Sequence, residues 1–88
     1  MTPIRCEVLL FAALADAAKT SRLAIELAAE ATVADVWPAI ERSAPTAAGA
    51  LSAWRRRTVI AVNERYVGPD TALRDGDRIA LIPPVSGG

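Results

Sequence analysis

The stretch Leu73-Arg74-Asp75-Gly76-Asp77-Arg78-Ile79-Ala80-Leu81-Ile82-Pro83-Pro84-Val85-Ser86-Gly87-Gly88 carries three signals in succession. Asp75-Gly76 reads as a turn, because glycine accepts the backbone angles of a tight reversal. Arg78 to Ile82 reads as a strand. Its alternation assigns Ile79 and Leu81 to the core and sets Ala80 and Ile82 on the opposite face. Pro83 and Pro84 then stop the ladder, since neither has an amide hydrogen, and both favour an extended course away from the body. Beyond them, Gly87 and Gly88 carry no side chains, so this segment can enter a narrow channel and bring its backbone close to a ligand. The reactive group there is the terminal carboxylate of Gly88. Attack of that carboxylate on the α-phosphorus of ATP would give an acyl adenylate, open to sulfur or nitrogen nucleophiles. A frayed end is the bland reading of a lone Gly-Gly; the turn, strand and double proline before it weaken that reading.

A strand that presents such a tail needs a sheet to hold it, and the rest of the chain supplies one. Ile4, Cys6, Val8 and Leu10 alternate with Arg5, Glu7, Leu9 and Phe11, which predicts a first strand over 3–10 with Cys6 as a small core residue. Phe11 to Lys19 predicts a short helix. Leu23, Ile25 and Leu27 alternate with Arg22, Ala24 and Glu26 in a second strand over 21–28. Thr32-Val33-Ala34-Asp35 fits a capping box, and Val33, Val36, Trp37 and Ile40 give the apolar face of a main helix. Pro38 conflicts with that helix and predicts a kink or a loosened first turn. Residues 43–52 read as a loop or a short helix, because Pro45 and Gly49 interrupt the pattern. Arg57 to Val62 predicts a β-branched strand, Asn63-Glu64 a tight turn and Arg65-Tyr66-Val67 a short return strand. Arg55-Arg56-Arg57 reads as a solvated strand start. Trp37 is assigned to the core, and Trp54 either packs under the loop or lies exposed.

Composition removes most function classes. The chain has 88 residues, enough for one domain, and 52% of them are apolar. Lys plus Arg and Asp plus Glu are 10 each, so no net charge argues for nucleic acid or an anionic membrane as partner. No His and one Cys exclude a Ser-His-Asp triad, a Cys-His dyad, a Cys/His zinc site and a disulfide framework. The apolar run from Val8 to Ala15 is far short of the roughly 20 residues of a membrane helix. A cytoplasmic location with Cys6 reduced is expected.

The resulting order of elements is β-α-β-α-β-β-β, an α+β arrangement with a mixed sheet and a helix across one face. Its sequence is similar to the small subunit of molybdopterin synthase, a sulfur carrier of the ubiquitin-like β-grasp family. The likeness is carried by Leu9-Leu10-Phe11-Ala12, Thr32-Val33-Ala34-Asp35-Val36-Trp37, Ala61-Val62-Asn63-Glu64 and Leu73-Arg74-Asp75-Gly76-Asp77. The ending Ile82-Pro83-Pro84-Val85-Ser86-Gly87-Gly88 is its most specific part. Ala15 stands where members often carry a basic residue, and Pro38 departs from the family's main helix.

The resemblance implies a β-grasp domain over 1–82 and a flexible, extended Gly-Gly tail over 83–88. It implies that Gly88 is adenylated by an E1-like (MoeB-like) activating enzyme using ATP and Mg²⁺. Sulfur from a persulfide donor then gives a thiocarboxylate. The tail residues Pro83, Pro84, Val85, Ser86 and Gly87 would insert into the large (MoaE-like) synthase subunit, where sulfur passes to cyclic pyranopterin monophosphate on the way to molybdopterin. This chain would then be a co-substrate, with no cofactor of its own and catalytic groups on the large subunit. Phe11 and Ile82 are candidates for an exposed apolar patch that docks partners. Sulfur carriers for cysteine or thiamine synthesis, a ubiquitin-like protein modifier and a module with an inert tail are the competing readings.

Overall fold

The structure, a computed structural model, describes residues 2–83. Strand β1 (Ile4–Leu10) leads through helix α1 (Ala12–Ala18) to β2 (Arg22–Leu27). A 3-10 turn (Val33–Asp35) opens α2 (Val36–Ser43), which is followed by α3 (Pro45–Leu51) and a second 3-10 segment (Ser52–Arg57). The chain finishes with β3 (Val59–Val62), β4 (Arg65–Tyr66) and β5 (Arg78–Ile82). The five strands form one sheet in the order β2-β1-β5-β3-β4. β1 and β5 run parallel in its centre, and the other neighbours are antiparallel. This is the β-grasp that the sequence implied, with the last strand paired to the first.

Alternation explains why the sheet holds together. Val8, Ile79 and Leu81 have no solvent exposure, and Cys6, Leu10 and Ile25 are nearly as deep. Leu14 of α1, Val36 and Ile40 of α2 and Leu51 of α3 close over them from one side. Each such aliphatic side chain contributes about 1.5–3 kcal/mol on burial.

The helices differ from the sequence reading in informative ways. Pro38 does not interrupt α2, because the preceding turn is 3-10 and α2 begins only at Val36. Pro38 therefore sits in the first turn, where an amide has no intrahelical acceptor to lose. The loosened first turn is thus present, with Asp35 holding it: its carboxylate accepts the Thr32 N–H at 2.9 Å. Residues 45–51 are a helix rather than a loop, since Pro45 occupies its first turn and Ala47 and Leu51 bury on one side. Phe11 is the residue before α1, not part of it.

Arg55, Arg56 and Arg57 do not start a strand. They lie in the 3-10 segment, and β3 begins at Val59. Arg55 stacks on the buried Trp37 ring at 5.5 Å and reaches Glu41 at 3.4 Å, while Arg57 stacks on Trp54 at 5.4 Å. Trp54 is half-buried against the core. Among the described residues, no helix is long and apolar enough to cross a membrane.

Candidate functional site

β5 enters the sheet through a turn held by carboxylates. Gly76 adopts φ +85°, in the left-handed region that favours glycine. Asp75 Oδ1 accepts the Arg5 N–H at 2.8 Å, which ties the turn to β1. Asp77 uses both oxygens: Oδ1 accepts from Asn63 Nδ2 and Oδ2 from the Arg74 N–H, each at 2.8 Å. Asn63 Oδ1 in turn accepts the Arg78 N–H at 3.0 Å. The Asp-Gly-Asp motif therefore positions β5 and works as a fastener. It also places Cys6 beneath it, with the thiol directed to the Arg74 carbonyl at 3.4 Å. Burial, then the Asp77 carboxylate, push the Cys6 thiol above its ordinary value of 9.0. A thiol so placed stays protonated and is a core group rather than a nucleophile.

The sheet's outer face carries no helix, and its rows follow from the strand register. Leu9, Ala80, Ala61 and Tyr66 lie side by side across β1, β5, β3 and β4. Ile82 and Val59 form the next row, toward the exit of β5. Two alanines in the middle and larger groups around them make an open trough of about 670 Å³, lined by Leu9, Phe11, Ala61, Tyr66, Ala80 and Ile82, with the polar Asn63, Glu64 and Arg78 completing its wall. Phe11 is 47% exposed and Tyr66 74%, so large apolar groups stand in water at its rim. Ala12, at φ 47°, turns the chain off β1 immediately after Phe11. The opposite side of the trough is charged. Glu7 lies between Arg22 at 3.7 Å and Arg78 at 4.0 Å, in exposed pairs of little energetic weight.

The structure brings Phe11 and Ile82 to one trough, with Ile82 half-buried. Pro83, also half-buried, continues directly from β5. Pro84, Val85, Ser86, Gly87 and Gly88 lie outside the described residues. The sequence reading missed Tyr66, Ala61 and Ala80 as parts of the trough, although the alternation of β5 and β3 was enough to place the two alanines on its floor. It also missed the Asn63–Asp77 pair, which joins residues far apart in the chain and leaves no local pattern. Among the described residues, no three His, Cys, Asp or Glu side chains are close enough to hold a metal ion.

The model of the ThiS family matches residues 8–88. The chain belongs to the ThiS family. Within this frame the molybdopterin synthase sulfur carrier subunit of Chlamydomonas reinhardtii is 36% identical over 87 residues, covering 97% of this chain and all of the relative. Among solved structures, SAMP1 (small archaeal modifier protein 1) of Haloferax volcanii superposes with a TM-score of 0.78 at 30% identity. That match covers 96% of this chain and 99% of the other. A complex of subunits 1 and 2 of molybdopterin-converting factor from Helicobacter pylori contains a chain that matches with a TM-score of 0.68 at 27% identity, covering 97% of this chain and all of that one. The β-grasp is thus shared with ubiquitin-like proteins that bear both kinds of name.

Proposed function

We propose that this chain is the sulfur carrier of molybdopterin synthase, acting through the carboxylate of Gly88. The observation that carries the reading is the 36% identity to a molybdopterin synthase sulfur carrier subunit over nearly the whole chain. The family match extends through Gly87 and Gly88, which fits a role for the tail. In the first step the Gly88 carboxylate attacks the α-phosphorus of ATP and pyrophosphate leaves, on an E1-like enzyme that supplies ATP and Mg²⁺. In the second, a persulfide sulfur attacks the acyl carbon and AMP leaves. A thiol then cleaves the resulting acyl disulfide, leaving a thiocarboxylate. That sulfur is ionised at neutral pH and nucleophilic, and it passes to cyclic pyranopterin monophosphate in the large subunit. The chain itself provides the carrier atom, a tail slender enough to reach a buried centre and a docking face. The Helicobacter pylori complex supports a large-subunit partner, and the trough beside the exit of β5 offers it an apolar seat.

The test is ATP–pyrophosphate exchange with an E1-like activating enzyme. The wild-type chain is expected to support exchange. A variant lacking Gly88, and one extended past Gly88 by an alanine, are expected to lose it while melting at the wild-type temperature. Full exchange by the extended chain without trimming would contradict the carboxylate mechanism. A second reading, attachment of Gly88 to lysines of other proteins, is favoured by the likeness to SAMP1. It predicts target lysines that carry, after trypsin, the branched remnant running from Ile79 to Gly88, because Arg78 is the last residue at which trypsin cuts.

A further inference from the structure

Among the described residues the sheet has two edges, β2 and β4. Proteins blunt such edges, because unpaired main-chain groups template another strand. β4 is blunted by having only two residues, whereas β2 runs for six without a proline or a lysine. The register settles which of its groups face outward. The Leu10 N–H donates to the Ser21 carbonyl at 2.9 Å. At period two, Val8–Leu23, Cys6–Ile25 and Ile4–Leu27 are therefore the bonded pairs. Arg22, Ala24 and Glu26 consequently aim their main-chain groups away from β1. The Thr20 hydroxyl covers one end of that edge, donating to the Arg22 carbonyl at 3.0 Å and accepting the Arg22 N–H at 3.4 Å. Ala24 and Glu26 are exposed.

We propose that this edge takes a second copy of the chain, with two β2 strands pairing antiparallel about a two-fold axis at Ala24. The strand is self-complementary in that register alone. Ala24 faces Ala24 of the second copy, and Arg22 faces Glu26 twice by symmetry. On the core side, the half-buried Leu23 meets Ile25. A slip of two residues sets each charge opposite an alanine or beyond the strand. A slip of four sets Arg22 against Arg22 or Glu26 against Glu26, which like-charge repulsion disfavours. Arg22 gives up its exposed contact with Glu7 and the two main-chain hydrogen bonds to the Thr20 hydroxyl, which the Glu26 main chain of the second copy replaces. The two sheets become one, and β5 with its exit remains a strand removed from the joint. This inference stands independently of the sulfur-carrier reading.

Sedimentation equilibrium of the full chain tests it. A joint of one strand pair is small, so a dissociation constant of about 0.1–1 mM is expected. Arg22→Glu and Glu26→Arg should each raise it about tenfold or more, since both create like-charge pairs. An equimolar mixture of the two variants should form a heterodimer of wild-type affinity, because every opposed pair is again of opposite charge. Ala24→Pro removes an outward N–H that β1 does not use, and should abolish pairing with little change in melting temperature. A wild-type chain that stays monomeric at about 1 mM, a mixture that fails to pair, or a dimer indifferent to Ala24→Pro would overturn the proposal. So would a chain that stays monomeric while its β2 edge binds an unrelated peptide strand.

Discussion

On the core side β5 presents Ile79 and Leu81, both fully buried, and on the outer side their neighbours Ala80 and Ile82 stay half-buried beside Phe11, 47% exposed. The same alternation builds both faces, so the difference lies in what each face is packed against. Three helices close the core side. The outer side has a trough with an alanine floor, an aromatic rim and a charged border. Core residues of this kind carry stability, and the uncovered apolar groups are available for a partner.

Substitutions on adjacent residues of one strand separate these roles. Leu81→Ala leaves a cavity in the core and is expected to cost roughly 2–5 kcal/mol, read as a fall in melting temperature and denaturant midpoint. Ala80→Glu, one residue earlier, and Phe11→Ala should leave melting within about 1 kcal/mol of wild type. Both should weaken titration-measured affinity for a large-subunit partner about tenfold or more. If Ala80→Glu unfolded the protein while leaving affinity intact in the folded fraction, the division between the faces would fail. Asp77→Ala strips acceptors from Asn63 Nδ2 and the Arg74 N–H, and should cost about 1–2 kcal/mol in chemical denaturation.

The smallest effect is on pH dependence. The Cys6 thiol is raised in the folded state, so above its ordinary value the folded chain binds the proton more tightly than the unfolded one. Its contribution is present in full below about pH 9 and is lost as pH rises toward the folded value. Cys6→Ala should be less stable at neutral pH yet show a shallower alkaline decline, measured by urea midpoints across alkaline pH. An identical decline in both proteins would mean that Cys6 is not held in this way.

Alternation made β1, β2 and β5 legible, because one face of each is buried and the period is unambiguous. It was equally sound for Ile79 and Leu81 as core. The segment 43–57 was not legible. Pro45 and Gly49 look like breakers, yet Pro45 starts a helix and Gly49 lies on its exposed side, where its cost is small. Three arginines following Trp54 gave no sign of the ring stacking that fixes two of them. The tight turn at Asn63-Glu64 was legible from Asn63, which takes φ 50°, whereas the positive φ of Glu64, 70°, has no sequence signature. The Asp-Gly-Asp motif was visible, whereas its partners Arg5 and Asn63 depend on the sheet order. The reading of Gly88 rests on chemistry alone, the absence of side chains and a carboxylate, and Gly88 lies outside the described residues.

The central claim is that Gly88 carries sulfur. The direct measurement is intact mass followed by top-down fragmentation, after incubation with ATP, Mg²⁺, an E1-like activating enzyme and a sulfur donor. Localisation is needed because oxidation of Met1 or Cys6 adds nearly the same nominal mass as exchanging oxygen for sulfur. The account predicts one oxygen replaced by sulfur, confined to fragments containing Gly88 and dependent on ATP. An unmodified Gly88 with several activating enzymes that charge other carriers would contradict it.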